Sequence, residues 1–160
     1  MYSIAKTKIL SRLEPQRKLL RSYWTIDSAI PGYGELGVEG GLAKAMSYMD
    51  RLHTLLAARG IALSVAVYPW PDQIEFDSVN SRQVQVWKQW CERRRCAHFI
   101  DHFPDFFDYK REHTDWRDRL FISGDFHHLP KATEIIAERL KSVYVTATSG
   151  GPAPASARAQ

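Results

Sequence analysis

Apolar residues recur along the chain with two kinds of spacing, which separate the predicted helices from the predicted strands. From Leu42 to Leu56 they fall three or four positions apart, and this period predicts an amphipathic helix that stops at Gly60. Residues 61–68 form a mostly apolar, β-branched run, which is typical of a strand buried in a parallel sheet. Residues 96–101 form a second, shorter run of this kind. Two strands are therefore predicted after the helix.

Other segments carry the helical period as well. Residues 4–24 combine apolar and basic side chains and predict a basic amphipathic helix. A further helix is predicted from Asn80 or Ser81 to Arg95, because either polar residue can cap its first turn. The last helix is predicted over residues 131–144.

Three stretches show neither period. Residues 25–41 are rich in glycine and predict a loop. Residues 103–119 begin with clustered phenylalanines and continue with charged side chains, so a loop or short helix followed by a solvated segment is predicted. Residues 146–160 are dominated by serine, glycine, proline and alanine and predict a disordered tail.

The order of these elements defines the expected fold. Helices and strands alternate, which argues for a parallel α/β layer, yet only two strong strands are present. We therefore predict a partial flavodoxin-like α/β/α sandwich with a short parallel sheet. Its expected parts are an N-terminal helix over residues 1–24, an α/β domain over residues 25–145 and the disordered tail over residues 146–160.

Composition and charge narrow the choice of partners. The chain has 160 residues, 44% apolar and 25% charged, which suits one globular domain. Much of its net charge of +4 lies near the start, so no nucleic-acid surface is expected. Residues 4–24 either pack on their own domain, which we expect, or lie on a membrane surface or a partner. No spanning segment or signal peptide is present, and a cytoplasmic location is the default expectation.

The two cysteines, Cys91 and Cys96, lie five positions apart and lack the spacing of zinc ligands. If the first ends a helix and the second opens a strand, a disulfide can form across the turn in an oxidising compartment. Two buried, reduced thiols are the alternative, and it is the one we expect.

The candidate chemistry is concentrated in residues 121–130. A short apolar strand leads into a loop that carries Asp125, His127 and His128, and a helix follows. On a turn, an aspartate two residues before a histidine can accept a hydrogen bond from Nδ1–H, which leaves Nε2 as a general base. Asp125 and His127 are therefore predicted to be catalytic.

Other interpretations of this loop stay open. Asp125 can instead cap the helix, with a histidine packed against the first turn and no catalysis. A metal site built from Asp125, His127 and His128 is weaker, because three adjacent ligands on one turn rarely complete a coordination shell. Residues 69–73, at the end of the first predicted strand, are expected to wall a pocket near Trp70, or to form a rigid connection without a ligand.

The segment Gly124-Asp125-Phe126-His127 before a terminal helix resembles the last conserved block of the SGNH/GDSL hydrolases and their acyltransferase relatives. In a sub-group of that family, this block has the sequence Gly-Asp-x-His. In the family, the terminal helix carries an alanine ten residues after the catalytic histidine. Ala137 is ten residues after His127, so the resemblance selects His127 over His128. The resemblance spans about 100 residues from Leu42 onward, which correspond to the C-terminal half of the family's fold.

The resemblance implies ester hydrolysis or O-acyl transfer on an acylated small molecule or carbohydrate, without a cofactor. A serine attacks the acyl carbonyl, His127 takes its proton and Asp125 holds the imidazole. The family's serine block is not found, and Ser28, in a segment that faintly resembles it, is the candidate nucleophile. We therefore expect either a serine hydrolase whose nucleophile half is missing, or a non-catalytic module that binds a partner or another copy of itself.

Overall fold

A computed structural model describes residues 22–27 and 33–149. This part of the chain contains six α-helices and two β-strands, in the order α1 (Gly37–Ala57), β1 (Val65–Val67), α2 (Pro71–Phe76), α3 (Arg82–Arg94), β2 (Phe99–Asp101), α4 (Phe103–Glu112), α5 (Trp116–Leu120) and α6 (Pro130–Ser149). The predicted partial α/β fold with a short parallel sheet is confirmed.

The sheet consists of β1 and β2, which pair in parallel with Val65 opposite Phe99. Just beyond the ladder, the His102 amide donates to the Val67 carbonyl at 3.0 Å. The strands are shorter than the apolar runs at 61–68 and 96–101, because a strand extends only as far as its partner pairs with it. Ala66 is exposed, so β1 is not buried on both faces as its composition predicted.

Helix α1 begins within the stretch 25–41 that was predicted to be a loop. Tertiary contacts override the low helix propensity of its glycines, because Val38 is buried and Glu39 pairs with Arg82. Farther along, Asp50 accepts hydrogen bonds from Trp90 Nε1 and Arg94 Nε, both at 2.8 Å. The predicted apolar stripe is only partly covered, and its later leucines are among the exposed apolar side chains.

Helix α3 has the predicted boundaries, and it ends in a disulfide. Ser81 caps the helix by accepting a hydrogen bond from the Gln83 amide at 3.3 Å. Arg95 adopts a left-handed conformation with φ of 56°, which turns the chain back on itself. The Cα atoms of Cys91 and Cys96 therefore lie 4.9 Å apart and the two residues form a disulfide. The expectation of two reduced thiols is wrong.

The larger of two apolar clusters joins α2 to the elements from α4 to α6. Segment 110–119 is not simply solvated, because Trp116 is buried within this cluster. The guanidinium of Arg139 on α6 forms a two-pronged ion pair with Asp105 on α4. Helix α6 continues through Ser149, so the first four residues of the predicted tail are helical. The cluster consists of Ile74, Phe106, Trp116, Leu120, Phe121 and Ala132.

Several predictions concern residues that the structure does not describe. Most of the predicted helix over 1–24 lies outside the described ranges, and residues 22–25 form a short 3₁₀ turn. Ser28 and residues 150–160 also lie outside them. Among the described helices, none combines the length and the apolar composition needed to cross a bilayer.

Candidate functional site

A tight turn after α5 presents the acid and the imidazoles. The Asp125 amide donates to the Ile122 carbonyl at 2.9 Å, and the Ile122 amide donates to the His127 carbonyl at 3.0 Å. Phe121 and His128 form an antiparallel bridge, where a longer strand was predicted. Gly124 takes a φ of +75°, which a glycine adopts without steric cost. These local bonds define the site loop, residues 121–129.

Asp125 and His127 form the predicted pair within this loop. Asp125 Oδ1 lies 2.9 Å from His127 Nδ1 and also accepts a 2.6 Å hydrogen bond from the Phe126 amide. Asp125 does not cap α6, because both of its partners precede the first helical residue, Pro130. The expected alternative of a cap by Asp125 is therefore wrong. With Nδ1 facing the carboxylate, the favoured tautomer carries its proton on Nδ1 and leaves Nε2 as an acceptor.

The electrostatics agree with this geometry. The hydrogen bond from His127, together with that from the Phe126 amide, holds the pKa of Asp125 below its ordinary value. The carboxylate is therefore ionised at neutral pH and can stabilise a protonated imidazole. The His127 side chain is 67% exposed, and no described residue hydrogen-bonds its Nε2. A substrate or another side chain can thus approach this nitrogen.

Aromatic rings join the site loop to the end of β1. Trp70 stacks on Phe126 with ring centroids 4.9 Å apart and planes 5° apart. Phe126 in turn stacks on His127, with centroids 4.8 Å apart. Trp70, in the segment that was expected to wall a pocket or form a rigid connection, thus lies close to the acid and imidazole pair, whereas the part that Phe126 plays was missed. An aromatic residue between two functional residues is too common a pattern to single out in a sequence.

His128 belongs to the packing beneath the loop and does not join the pair. Its ring contacts the rings of Tyr68, Phe106 and Phe121 at centroid distances of 5.0 to 5.9 Å. Burial, and next the charge of His127, lowers the pKa of His128. Within the described ranges, no three histidine, cysteine, aspartate or glutamate side chains are placed to share a metal ion.

A third histidine, which was missed in the sequence analysis, lies at the carboxyl end of β2. His102 is fully buried, and neither of its ring nitrogens has a hydrogen-bond partner among the described residues. Burial is the main cause that lowers its pKa. The nearby charges are those of Asp105, Arg139 and His128. The only sequence signal was its position directly after an apolar run.

Two grooves flank these elements. The larger one, about 800 Å³, lies between α4 and α6 and includes neither Asp125 nor His127. The other, about 290 Å³, runs beside β1. It includes Trp70, which also belongs to the ring stack formed by Trp70, Phe126 and His127. Its further lining includes Met49, Ala66, Tyr68, Gln83 and Trp87. The second groove therefore adjoins the site loop, as expected of the carboxyl end of a parallel strand.

The described residues supply no nucleophile for the pair. No serine hydroxyl among them hydrogen-bonds His127, and Ser28 lies outside the described ranges. The described residues thus place a carboxylate beside an imidazole whose Nε2 is open, and they bring no hydroxyl group to that nitrogen. Comparison of the chain with protein-family models, curated proteins and solved structures found no match.

Proposed function

We propose that this chain carries the acid and base half of a serine hydrolase or O-acyltransferase of the SGNH/GDSL type. The observation that supports this most directly is the 2.9 Å contact between Asp125 Oδ1 and His127 Nδ1, with Nε2 open to solvent. In this mechanism His127 removes the proton of a serine, and Asp125 holds the ring and stabilises the imidazolium. The substrate is an ester or an acylated small molecule or carbohydrate.

The nucleophile must come from outside the described residues. Ser28 is one source, and a second polypeptide is another. The open edge of β1 suits the second source, because in the parallel ladder the backbone groups of Val65 and Val67 face β2 and those of Ala66 face outward. A strand added in parallel beside Ala66 would bring its own carboxyl end toward Trp70 and the site loop.

Fluorophosphonate labelling of the purified chain, with mass-spectrometric mapping of the adduct, tests the proposal because the reagent reacts with activated serines. We expect an adduct on one serine that is lost when His127 is replaced by alanine. A His128→Ala variant serves as the matched control, since His128 faces the packing and should leave labelling intact. If no serine is labelled in folded protein, the chain does not perform the chemistry by itself.

A non-catalytic, partner-binding module is the second candidate, and the exposed surface around β1 favours it. Ala66 is exposed on the open edge, and Leu52, Leu55 and Ile61 are between 39% and 51% exposed on and after α1. Exposed apolar side chains and free strand edges are both typical of docking sites. On this alternative, His127→Ala changes neither serine labelling nor the binding of the partner.

A further inference from the structure

The ring stack has a rigid base at the end of β1. Trp70 lies between Pro69 and Pro71, which are both buried. Its amide donates to Gln73 Oε1 at 2.9 Å, and Gln73 is itself fully buried. A residue between two prolines has few backbone conformations, so the indole is held in one place by its own segment.

The site loop, by contrast, has few contacts that could fix the His127 ring. Its backbone hydrogen bonds set the main chain of residues 122–127 and do not involve the imidazole. Among the described residues, the ring is hydrogen-bonded to the Asp125 carboxylate through Nδ1 and stacks on the face of Phe126. Because the side chain is 67% exposed, close packing does not restrict its rotation. Phe126 is therefore the group that fixes the plane of the imidazole.

We propose that Trp70 is a positioning residue for the candidate site, acting through Phe126 to keep His127 Nδ1 directed at Asp125. Trp70 stacks on Phe126 with nearly parallel planes, and Phe126 stacks on His127. Stacked aromatic pairs are favourable beyond the area that they bury, and this interaction favours one rotamer of the side chain over the others. The catalytic consequence rests on the proposed function, whereas the positioning itself can be measured without activity.

NMR of the isotope-labelled chain tests this inference through two observables. The carbon shift of the Asp125 carboxyl group reports its titration midpoint, and the nitrogen shifts of His127 report the tautomer. In a Trp70→Leu variant we expect the Asp125 midpoint to rise toward its ordinary value, because the hydrogen bond from His127 is the main cause of its low pKa. We also expect His127 to lose its preference for the Nδ1–H tautomer.

Matched variants separate positioning from general destabilisation. Trp70→Phe keeps an aromatic face and should preserve both signals. Trp87→Leu removes another tryptophan from the same groove, whose described ring contact is with Trp90 and not with the site loop, and it should preserve them too. Phe126→Leu removes the middle ring and should reproduce the effect of Trp70→Leu. If Trp70→Leu does not fold, the Phe126→Leu result alone decides the question.

Unchanged Asp125 and His127 signals in the folded leucine variants would overturn the inference. A shift of equal size in Trp87→Leu would also overturn it, because a structural effect would then explain both. These outcomes are independent of the proposed function. Absence of a fluorophosphonate adduct in the unmodified chain would show that the chain does not perform the chemistry by itself, and it would leave the role of Trp70 intact.

Discussion

At the scale of single residues, the turn of the site loop requires a left-handed backbone conformation at Gly124. Its φ of +75° lies in the left-handed region, and a Cβ added there meets no atom within 4 Å. Replacing Gly124 by alanine should therefore lower the free energy of unfolding by about 1 kcal/mol through backbone strain alone. Asparagine tolerates this region better and should cost less. Urea denaturation of the two variants measures both losses.

Gly41 provides the control for this substitution. It lies within α1, and a Cβ added to it also meets no atom within 4 Å. Its conformation is helical, so Gly41→Ala should leave stability unchanged or raise it by up to about 1 kcal/mol. Equal losses at positions 41 and 124 would contradict the assignment of the cost to the left-handed turn.

The buried imidazoles give the fold a pH dependence of defined sign. Burial lowers the pKa of His102 and of His128 in the folded chain. In the unfolded chain both histidines have the ordinary pKa of about 6.5, so just below this pH the unfolded chain binds more protons than the folded chain. Stability should therefore fall as the pH drops below about 6.5. Urea denaturation at pH 7.5 and 5.5 should show the difference.

A His102→Leu variant isolates the contribution of that residue. It removes a buried imidazole with no hydrogen-bond partner among the described residues, so it should flatten the pH dependence over this range. Asp125 does not affect this comparison. Because its pKa is lowered in the fold, the stability that it contributes is fully present above the ordinary aspartate pKa and is lost only in solutions more acidic than those compared. A variant with the original pH slope would show that His102 is not responsible.

At the scale of elements, the disulfide secures the end of α3. Cys91 and Cys96 close a short loop that joins the last turn of the helix to the approach to β2. For a loop of this length, the entropy of the unfolded chain predicts a stabilisation of about 2 kcal/mol. Reduction by dithiothreitol should lower the free energy of unfolding by this amount, measured in urea.

The matched control for reduction is the double variant Cys91→Ala, Cys96→Ala. It should unfold at the urea concentration of the reduced chain and should not respond to dithiothreitol. A response of the double variant to reductant would show that reduction acts elsewhere. Unchanged stability of the original chain on reduction would show that the bond contributes nothing to the fold.

Sequence patterns predicted the elements whose neighbours are close in the chain. The boundaries of α3 followed from Ser81 and the apolar period, and the geometry of Asp125 and His127 followed from their spacing on a turn. The early start of α1 required Arg82, which lies 43 positions away from its partner Glu39. The strand lengths likewise depend on where β1 and β2 meet. Contacts between distant residues leave no periodic signal, so these features were not predicted.

Ring contacts and the burial of polar atoms also depend on residues that are distant in the chain, so they were not predicted either. Trp70 and Phe126 are 56 positions apart, and nothing in either segment indicates that they stack. The burial of His102 depends on the packing of α4 and α6 around it. The disulfide depended on the left-handed conformation of Arg95, which the spacing of the cysteines permitted but did not require.

At the scale of the whole molecule, the open edge of β1 predicts self-association. Ala66 is exposed, and apolar side chains of α1 are exposed as well. Free strand edges of this kind pair with other chains, and natural proteins block them with charged residues, lysine above all. Ala66→Lys should therefore shift the chain toward the monomer, as measured by light scattering across a concentration series.

Gln89→Lys provides a control with the same change of charge. Gln89 is exposed on α3, away from the strand edge, so its replacement should leave the association unchanged. Equal effects of the two lysines would assign the association to net charge. A monomer at all concentrations for the unmodified chain would contradict the prediction.

The closure of the site loop on itself has a consequence for how this chemistry is inherited. Among the described residues, the hydrogen bonds that form the turn around the acid and imidazole pair lie between Leu120 and Leu129. One uninterrupted piece of gene therefore encodes them, whereas the Trp70 ring that stacks on Phe126 is encoded 56 positions earlier. On the role inferred for Trp70, a recombination event that moves the loop alone would carry the acid and the imidazole without the support for their orientation, and the arrangement is inherited whole only when both segments move together.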